Sequence, residues 1–287
     1  MKYIGEITEL KNTCISYGTF DSVHKGHLKV AKELARVASD RGLTPVIVSL
    51  KKAGEFLTTE QEKEYLFQDT GAEILVSAGD MGKTTGGFVK EVLAGTLGAE
   101  ALVVGGNHKE LDAVRAAAQE CGIEVVIVEC EEDKDGTITT ERIRKAFDES
   151  DFEKVTELCG HPYIMMGEVV HGKALGRTVG MPTANVSVSE NKRKPVSGVY
   201  ATLGHVAGGT WKSLTNIGKR PSVDNNDYIT IEAFLLDFKQ DIYGQPFRLE
   251  VHQFIRGVKK FDNLEDVQKQ VQKDLQKVRD FLDTLAE

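Results

Sequence analysis

Thr13–His27 reads TCISYGTFDSVHKGH, a β-rich run closed by a glycine and followed by two histidines three residues apart. The run predicts a strand over Thr13–Tyr17, and the periodic apolar segment Leu28–Ala38 predicts a helix after it. Gly26 and His27 then fall at or near the helix N-terminus. Unpaired N–H groups and the helix dipole favour an anion there. The spacing of His24 and His27 lets both address one phosphate, and imidazole can donate a hydrogen bond in either protonation state. A purely structural explanation makes one histidine a cap and the other a surface residue. The position directly after a first strand is the context phosphate chemistry needs.

Downstream, Thr44–Ser49, Ala72–Val76, Ala101–Val104 and Glu124–Val128 read as further strands. Amphipathic segments such as Phe88–Ala94 and Leu111–Glu120 lie between them. Strand–helix alternation at this spacing predicts a doubly wound parallel sheet over residues 1–157. Ligands of such sheets sit at the carboxyl ends of strands, near a switch in strand order.

The pattern changes at Cys159–Pro162, where period-two alternation takes over. Tyr163–His171, Gly198–Leu203, Ser213–Asn216, Thr230–Leu235 and Phe247–Phe254 predict an antiparallel sheet, with turns at Ala207–Gly209 and Tyr243–Gln245. Five or six short strands suggest a small closed barrel over residues 158–287. Asn263–Leu285 carries apolar residues three or four apart, which predicts one helix over the barrel, capped by Asp262 or Asn263.

Three pieces of this second half could carry chemistry. His171–Val186, HGKALGRTVGMPTANV, combines Gly172, Gly176 and Gly180 with Lys173 and Arg177. It reads as a loop that brings anionic oxygens close to backbone and charge, or as a plain hairpin loop. Thr183 and Asn185 would share one face of an extended segment and offer hard oxygens suited to Mg²⁺. Thr215–Pro221, TNIGKRP, places a glycine and two cations between strands. Glu232 sits in an otherwise apolar strand, either solvent-facing on an edge or acting as a general base. Asp237 and Asp241 read as turn residues.

The 287 residues allow two domains with cores of their own, and 40% hydrophobic with 28% charged residues is ordinary for a globular chain. Of 36 Lys+Arg and 44 Asp+Glu, residues 1–157 hold 19 and 29, leaving 17 and 15 for the second half. That balance points away from nucleic acid, so small anions would be met by local basic loops. No apolar run approaches a membrane span, and Met1–Tyr17 lacks the apolar core of a signal peptide. Four scattered cysteines without a CxxC pair suit neither zinc nor a disulfide framework, and predict reduced thiols in a cytoplasm.

Strand–GxFDxxHxGH–helix resembles the HxGH nucleotidyltransferase superfamily. It is most similar to the N-terminal domain of the bacterial bifunctional riboflavin kinase/FMN adenylyltransferase (FAD synthetase) family. Leu57–Phe67, LTTEQEKEYLF, and Ile138–Arg144, ITTERIR, resemble that family's helix start and its ISSTxIR phosphate motif. The resemblance implies a Rossmann-like α/β domain with Gly18, Phe20, Asp21, His24, Gly26, His27, Thr139, Thr140 and Arg144 at the nucleotide. The chain departs from the pattern at Ser22, where glycine is usual, at Glu141, and at Ser49–Gly54, which lacks a proline-histidine-proline segment. It departs again after Val104, where Asn107 replaces the aspartate of GxDFxFG and the phenylalanines are missing. Asn107 is thus a candidate acceptor-site residue of changed character.

The second half resembles riboflavin kinase through GRTVGMPTAN, GVYA (198–201), TNIGKRP, IEAFLLDF…DIYG and FIR…KKF (254–261), in that order. What this implies is a six-stranded barrel that transfers the γ-phosphate of ATP to the ribityl 5′-hydroxyl of riboflavin. Thr183 and Asn185 would hold Mg²⁺, Gly172–Arg177 would cover the phosphates, and Glu232 would be the base. Arg256 would belong to a flap over the flavin. The expected partners are small molecules: ATP, riboflavin and FMN. The expected activity is FMN formation with adenylylation to FAD. The alternatives are a kinase whose first domain is regulatory or structural, and a flavin-binding regulator.

Overall fold

Strands β2 (Thr13–Gly18), β3 (Thr44–Leu50) and β5 (Ala99–Gly105) are buried on both faces, which is why they read as nearly unbroken apolar runs. With β1 (Lys2–Ile4), β4 (Ile74–Ala78) and β6 (Glu124–Val128) they form a parallel sheet of order β1-β4-β3-β2-β5-β6. The computed structural model describes residues 1–51, 53–79, 82–172, 182–220 and 228–285. Among these, two compact units divide the chain, Met1–Arg142 and Ile143–Glu287.

In the first unit the pleat sends alternate side chains into two cores. Cys14, Ile47, Leu75 and Val103 pack with Val30, Leu34 and Val37 of α1 (Lys25–Arg41). Ile15, Val48, Val76 and Leu102 pack with Phe88, Val92 and Leu93, and with Val114 and Ala118 of α4 (Leu111–Glu120). The segment expected as an ordinary helix over Phe88–Ala94 follows a short turn, α3 (Thr85–Gly87), and is a π-helix, Phe88–Thr96. The chain leaves β2 toward β3 and β4, then returns on the other side to β5 and β6. The switch in strand order therefore lies between β2 and β5. Helix α2 (Glu60–Phe67) begins with a capping box of Thr59 and Glu62. The β1 edge strand and the small hairpin of β7 (Glu132–Asp133) and β8 (Gly136–Thr137) are not among the sequence expectations. Each is only two or three residues long, too short to leave a periodic signal.

Helices α5 (Thr140–Asp148) and α6 (Phe152–Cys159) follow. Residues 143–157, grouped with the first half on sequence, belong to the second unit. Phe147 and Phe152 form an aromatic cluster with Tyr163 and Tyr200, with ring centroids 4.8–6.1 Å apart. The barrel is closed in the order β10-β13-β12-β11-β14-β9. Its strands are β9 (Tyr163–Val170), β10 (Ala184–Val188), β11 (Gly198–Val206), β12 (Gly209–Arg220), β13 (Tyr228–Leu235) and β14 (Pro246–Gly257). Five were expected as strands, and Ala184–Val188 is the sixth. Inside, Thr202 shares a hydrogen-bonded hydroxyl chain with Ser213 and Thr215 at 2.5 and 2.7 Å, so these buried polar groups are satisfied. Helix α7 (Leu264–Thr284) is capped by Asn263 and lays Val278 and Leu282 on Val199, Ala201 and Leu214, as its periodicity predicts. No helix among the described residues is long and apolar enough to cross a membrane.

Candidate active sites

Strand register assembles the site of the second unit. Asn185 of β10 lies opposite Glu232 of β13, and Asn216 of β12 lies opposite Glu232 from the other side. The three form one row on the outward face. The alternate residues Thr215, Ile217, Ile231 and Ala233 are buried. Because the barrel closes, β13 is not an edge strand, so the edge explanation for Glu232 does not apply.

A cavity of about 300 Å³ meets this row at Asn185, and its lining includes Gly172, Thr183, Phe238, Asp241 and Tyr243. A side chain at Gly172 would place its Cβ 2.2 Å from the amide nitrogen of Asn185, so glycine is what lets the loop pass there. His171 stacks on Tyr243 with centroids 3.8 Å apart. Asp241 accepts from the backbone N–H of Tyr243 at 3.1 Å, and Asp237 has φ +59°; both are turn residues as read. Lys173, Gly176 and Arg177, and Pro221 of TNIGKRP, lie outside the described residues. Arg256 is found within β14. Its guanidinium holds the buried carboxylate of Asp274 on α7 through two 2.8 Å contacts, and Gln270 donates to the same carboxylate. The expected flap residue is thus fastened to the helix that covers the barrel.

In the first unit, the loop after β2 is bent by three non-glycine residues at positive φ: Phe20 (45°), Ser22 (75°) and Val23 (44°). Such angles persist only where the surroundings impose them. Here Asp21 imposes them. It is buried, its carboxylate accepts from Thr58 N–H at 3.1 Å, and its carbonyl accepts from the Thr140 hydroxyl at 3.1 Å. Asp21 and Thr140 thereby join the loop to the start of α5. Phe20 packs edge-on to His27 and Phe67. Gly18 passes close to the Phe20 ring. Thr139 accepts from the Arg142 N–H, and Arg144 lies one turn along the same helix.

His24 is the N-cap of α1. Its Nδ1 accepts a long 3.4 Å bond from the His27 N–H, which puts the proton of the neutral ring on Nε2. The two imidazoles stack at 3.7 Å. A Cβ on Gly26 would press on the His24 ring at 3.0 Å. Burial, then His24 and Lys63, push the His27 pKa well below its ordinary 6.5, so this ring is neutral. Lys63 is itself buried, with Ser49 and Glu60 as partners at 2.9 and 2.8 Å. Its only signal in the sequence is a lysine within the segment LTTEQEKEYLF. Asn107 is exposed in the turn after β5, its Oδ1 beside Gly105. Asn216 and Tyr243 carry no signal of a role in the sequence, because only the register and the turn place them.

The family model described as riboflavin kinase matches residues 159–282, and that described as FAD synthetase matches residues 6–142. A protein of Listeria monocytogenes is 30% identical over 299 residues, covering 96% of this chain and 94% of its own length. One of Bacillus subtilis is 28% identical over 298 residues, with 93% and 92% covered. Both are named bifunctional riboflavin kinase/FMN adenylyltransferase. A solved structure from Streptococcus pneumoniae, titled a macrolide-efflux protein, shares the fold with a TM-score of 0.84 and 24% identity over 97% of this chain and 99% of its own.

Proposed function

Because this chain belongs to the bifunctional riboflavin kinase/FMN adenylyltransferase family, we propose that separate sets of its residues carry the two reactions. The protein is an enzyme that phosphorylates riboflavin to FMN with ATP and adenylylates FMN to FAD. Glu232 is the general base of the first reaction. It takes the proton of the ribityl 5′-hydroxyl as that oxygen bonds to the γ-phosphorus and the bond to the β-phosphate oxygen breaks. The register that sets Glu232 between Asn185 and Asn216, with Asn185 at the cavity wall, is the observation that carries this reading.

Thr183 and Asn185 offer a hydroxyl and an amide carbonyl at the cavity wall, a hard-oxygen set that fits Mg²⁺ alongside phosphate oxygens and water. Bound there, the ion would neutralise charge on the phosphates. Gly172, at the cavity wall, lies beside them. Phosphoryl transfer is mainly positioning and charge neutralisation, so this sparse set suffices.

In the first unit, the start of α1 with His24, Gly26 and His27, together with Thr139 and Thr140, meets the phosphates of ATP. Gly18, Phe20 and Asp21 shape the loop. The FMN phosphate oxygen attacks the α-phosphorus and pyrophosphate leaves, with no protein nucleophile. Neutral imidazoles and the helix terminus stabilise the charge on the phosphoryl oxygens.

Incubation of the protein with riboflavin, ATP and Mg²⁺, followed by chromatography, tests both reactions. FMN followed by FAD is expected. FMN without FAD removes the second reaction, and absence of FMN overturns the first.

A further inference from the structure

The turn that leads into α5 is held by one side chain. Arg142 donates from Nη1 to the carbonyls of Gly136 and Thr137, at 2.8 and 3.0 Å, and from Nη2 to the carboxylate of Asp133 at 2.8 Å. Its guanidinium therefore closes a ring over residues 136–142 and touches both strands of the β7–β8 hairpin. The other oxygen of Asp133 accepts from the Asp135 N–H at 2.9 Å, and the Asp135 carboxylate stands 3.8 Å from the same guanidinium. Arg142 fills the position that the ISSTxIR pattern leaves open, so the resemblance gives it no role.

The two threonines of the motif lie inside that ring, and they are not equivalent. Ile138, just before them, is buried, and its N–H is bonded to the Glu131 carbonyl at 2.8 Å. The Thr140 hydroxyl gives its one proton to the Asp21 carbonyl at 3.1 Å. The Thr139 oxygen instead accepts from the Arg142 N–H at 3.4 Å, so its proton is the one left for an anionic oxygen. Thr139 is thus set by Arg142 twice, through the backbone N–H and through the clamp on Gly136 and Thr137. A planar guanidinium can hold two carbonyls and a carboxylate at once, whereas a lysine ammonium is a compact point charge. Both Nη1 protons and one on Nη2 are committed in this way, and the two aspartates offset the charge.

We propose that Arg142 is a positioning residue of adenylyl transfer: by clamping the β7–β8 hairpin to the start of α5 it aims the Thr139 hydroxyl at a phosphate oxygen of ATP, without touching the nucleotide itself. The proposal rests on the adenylyl-transfer reading above. It separates the cation that holds the turn from the groups that meet the phosphates.

The test is steady-state FAD formation from FMN and ATP by the full chain and by Arg142→Met, Arg142→Lys and Asp133→Asn, with riboflavin phosphorylation as an internal control. Arg142→Met should lower kcat/KM for ATP roughly 10–10²-fold, as expected when a positioned group shifts by up to about 1 Å. KM for FMN and riboflavin phosphorylation should be unchanged. Arg142→Lys keeps the charge and loses the fork, so it should fall nearly as far. Asp133→Asn leaves both carbonyl contacts in place and should fall less, in the same direction. Parent kinetics in Arg142→Lys would mean that a simple cation at the phosphates is enough, and overturn the proposal. KM values for FMN and ATP rising together with a fall in melting temperature assign Arg142 to the folding of the unit and equally overturn it. If the unsubstituted protein makes no FAD, the adenylyl-transfer reading falls and takes the proposal with it. FAD formation that is indifferent to Arg142→Met sinks the proposal alone.

Discussion

The two proposed phosphate-handling sites are built in opposite ways. In the barrel, Asn185, Glu232 and Asn216 come together because three neighbouring strands pair in register, each residue in ordinary extended backbone. In the parallel-sheet unit, His24 and His27 are delivered by a loop bent through positive φ at Phe20, Ser22 and Val23 and tied down by Asp21. A register-built site inherits its precision from the strand ladder and should lose chemistry without losing shape when one polar side chain is altered. A strain-built site stores its precision in the fold, so chemistry, stability and pH are coupled there.

The largest expected effect tests the first half of that contrast. Glu232→Gln keeps the shape of the row and removes the proposed base, so riboflavin phosphorylation should fall roughly 10²–10⁴-fold. FAD formation from supplied FMN should be untouched. Activity near that of the unsubstituted protein would take Glu232 out of the mechanism; loss of both reactions would show that the two sites are not separable.

A somewhat smaller effect is expected at Gly172. In Gly172→Ala the new Cβ must displace the Asn185 amide, from which it would stand 2.2 Å away. A shift of about 1 Å at a positioning group can cost on the order of 10²-fold. Riboflavin phosphorylation should fall by that order, with a higher Mg²⁺ requirement and unchanged melting. Unchanged kinetics would remove Asn185 from the metal site.

The strain-built site should answer to pH instead. Folded His27 resists protonation, while in the unfolded chain it titrates near the ordinary 6.5. Below that pH the unfolded state binds a proton that the folded state refuses, so stability is present above 6.5 and is lost as the pH falls. One such proton contributes at most about 1.4 kcal/mol per pH unit. Burial lowers His108 and His205 as well, so the check is a difference. Melting followed from pH 7.5 to 5 should depend less on pH in His27→Asn than in the parent. Identical slopes would assign the effect to the other histidines.

The same contrast explains what could be read from the chain. The period-two and helical patterns placed β2, β3, β5, β6, α4 and α7 within a few residues, because burial of one or both faces writes directly into apolar spacing. The row around Glu232 was legible only in part. Thr183, Asn185 and Glu232 stood out as oxygen-bearing residues in strand-like segments, but Asn216 joins them only through register, which depends on turns between strands. The π-helix at Phe88–Thr96 was hidden because one inserted residue hardly alters an apolar repeat.

The smallest effect probes the strain itself. Ser22 occupies a position of φ 75°, where an L side chain costs about 1–2 kcal/mol that glycine would avoid. Glycine would in turn lose more freedom on folding, about 0.5–1 kcal/mol, and would give up the hydroxyl bond to the Asp21 carbonyl. With about 0.5–1.5 kcal/mol for that bond the terms nearly cancel, so Ser22→Gly should melt within about 2 °C of the parent. Because the angles of Phe20 and Val23 remain imposed by Asp21, FAD formation should be little changed. A loss of stability would mean that the Ser22 hydroxyl, rather than the Asp21 contacts to Thr58 and Thr140, holds the loop. The strain would then be distributed locally, and the separation drawn between a register-built and a strain-built site would narrow to one side chain.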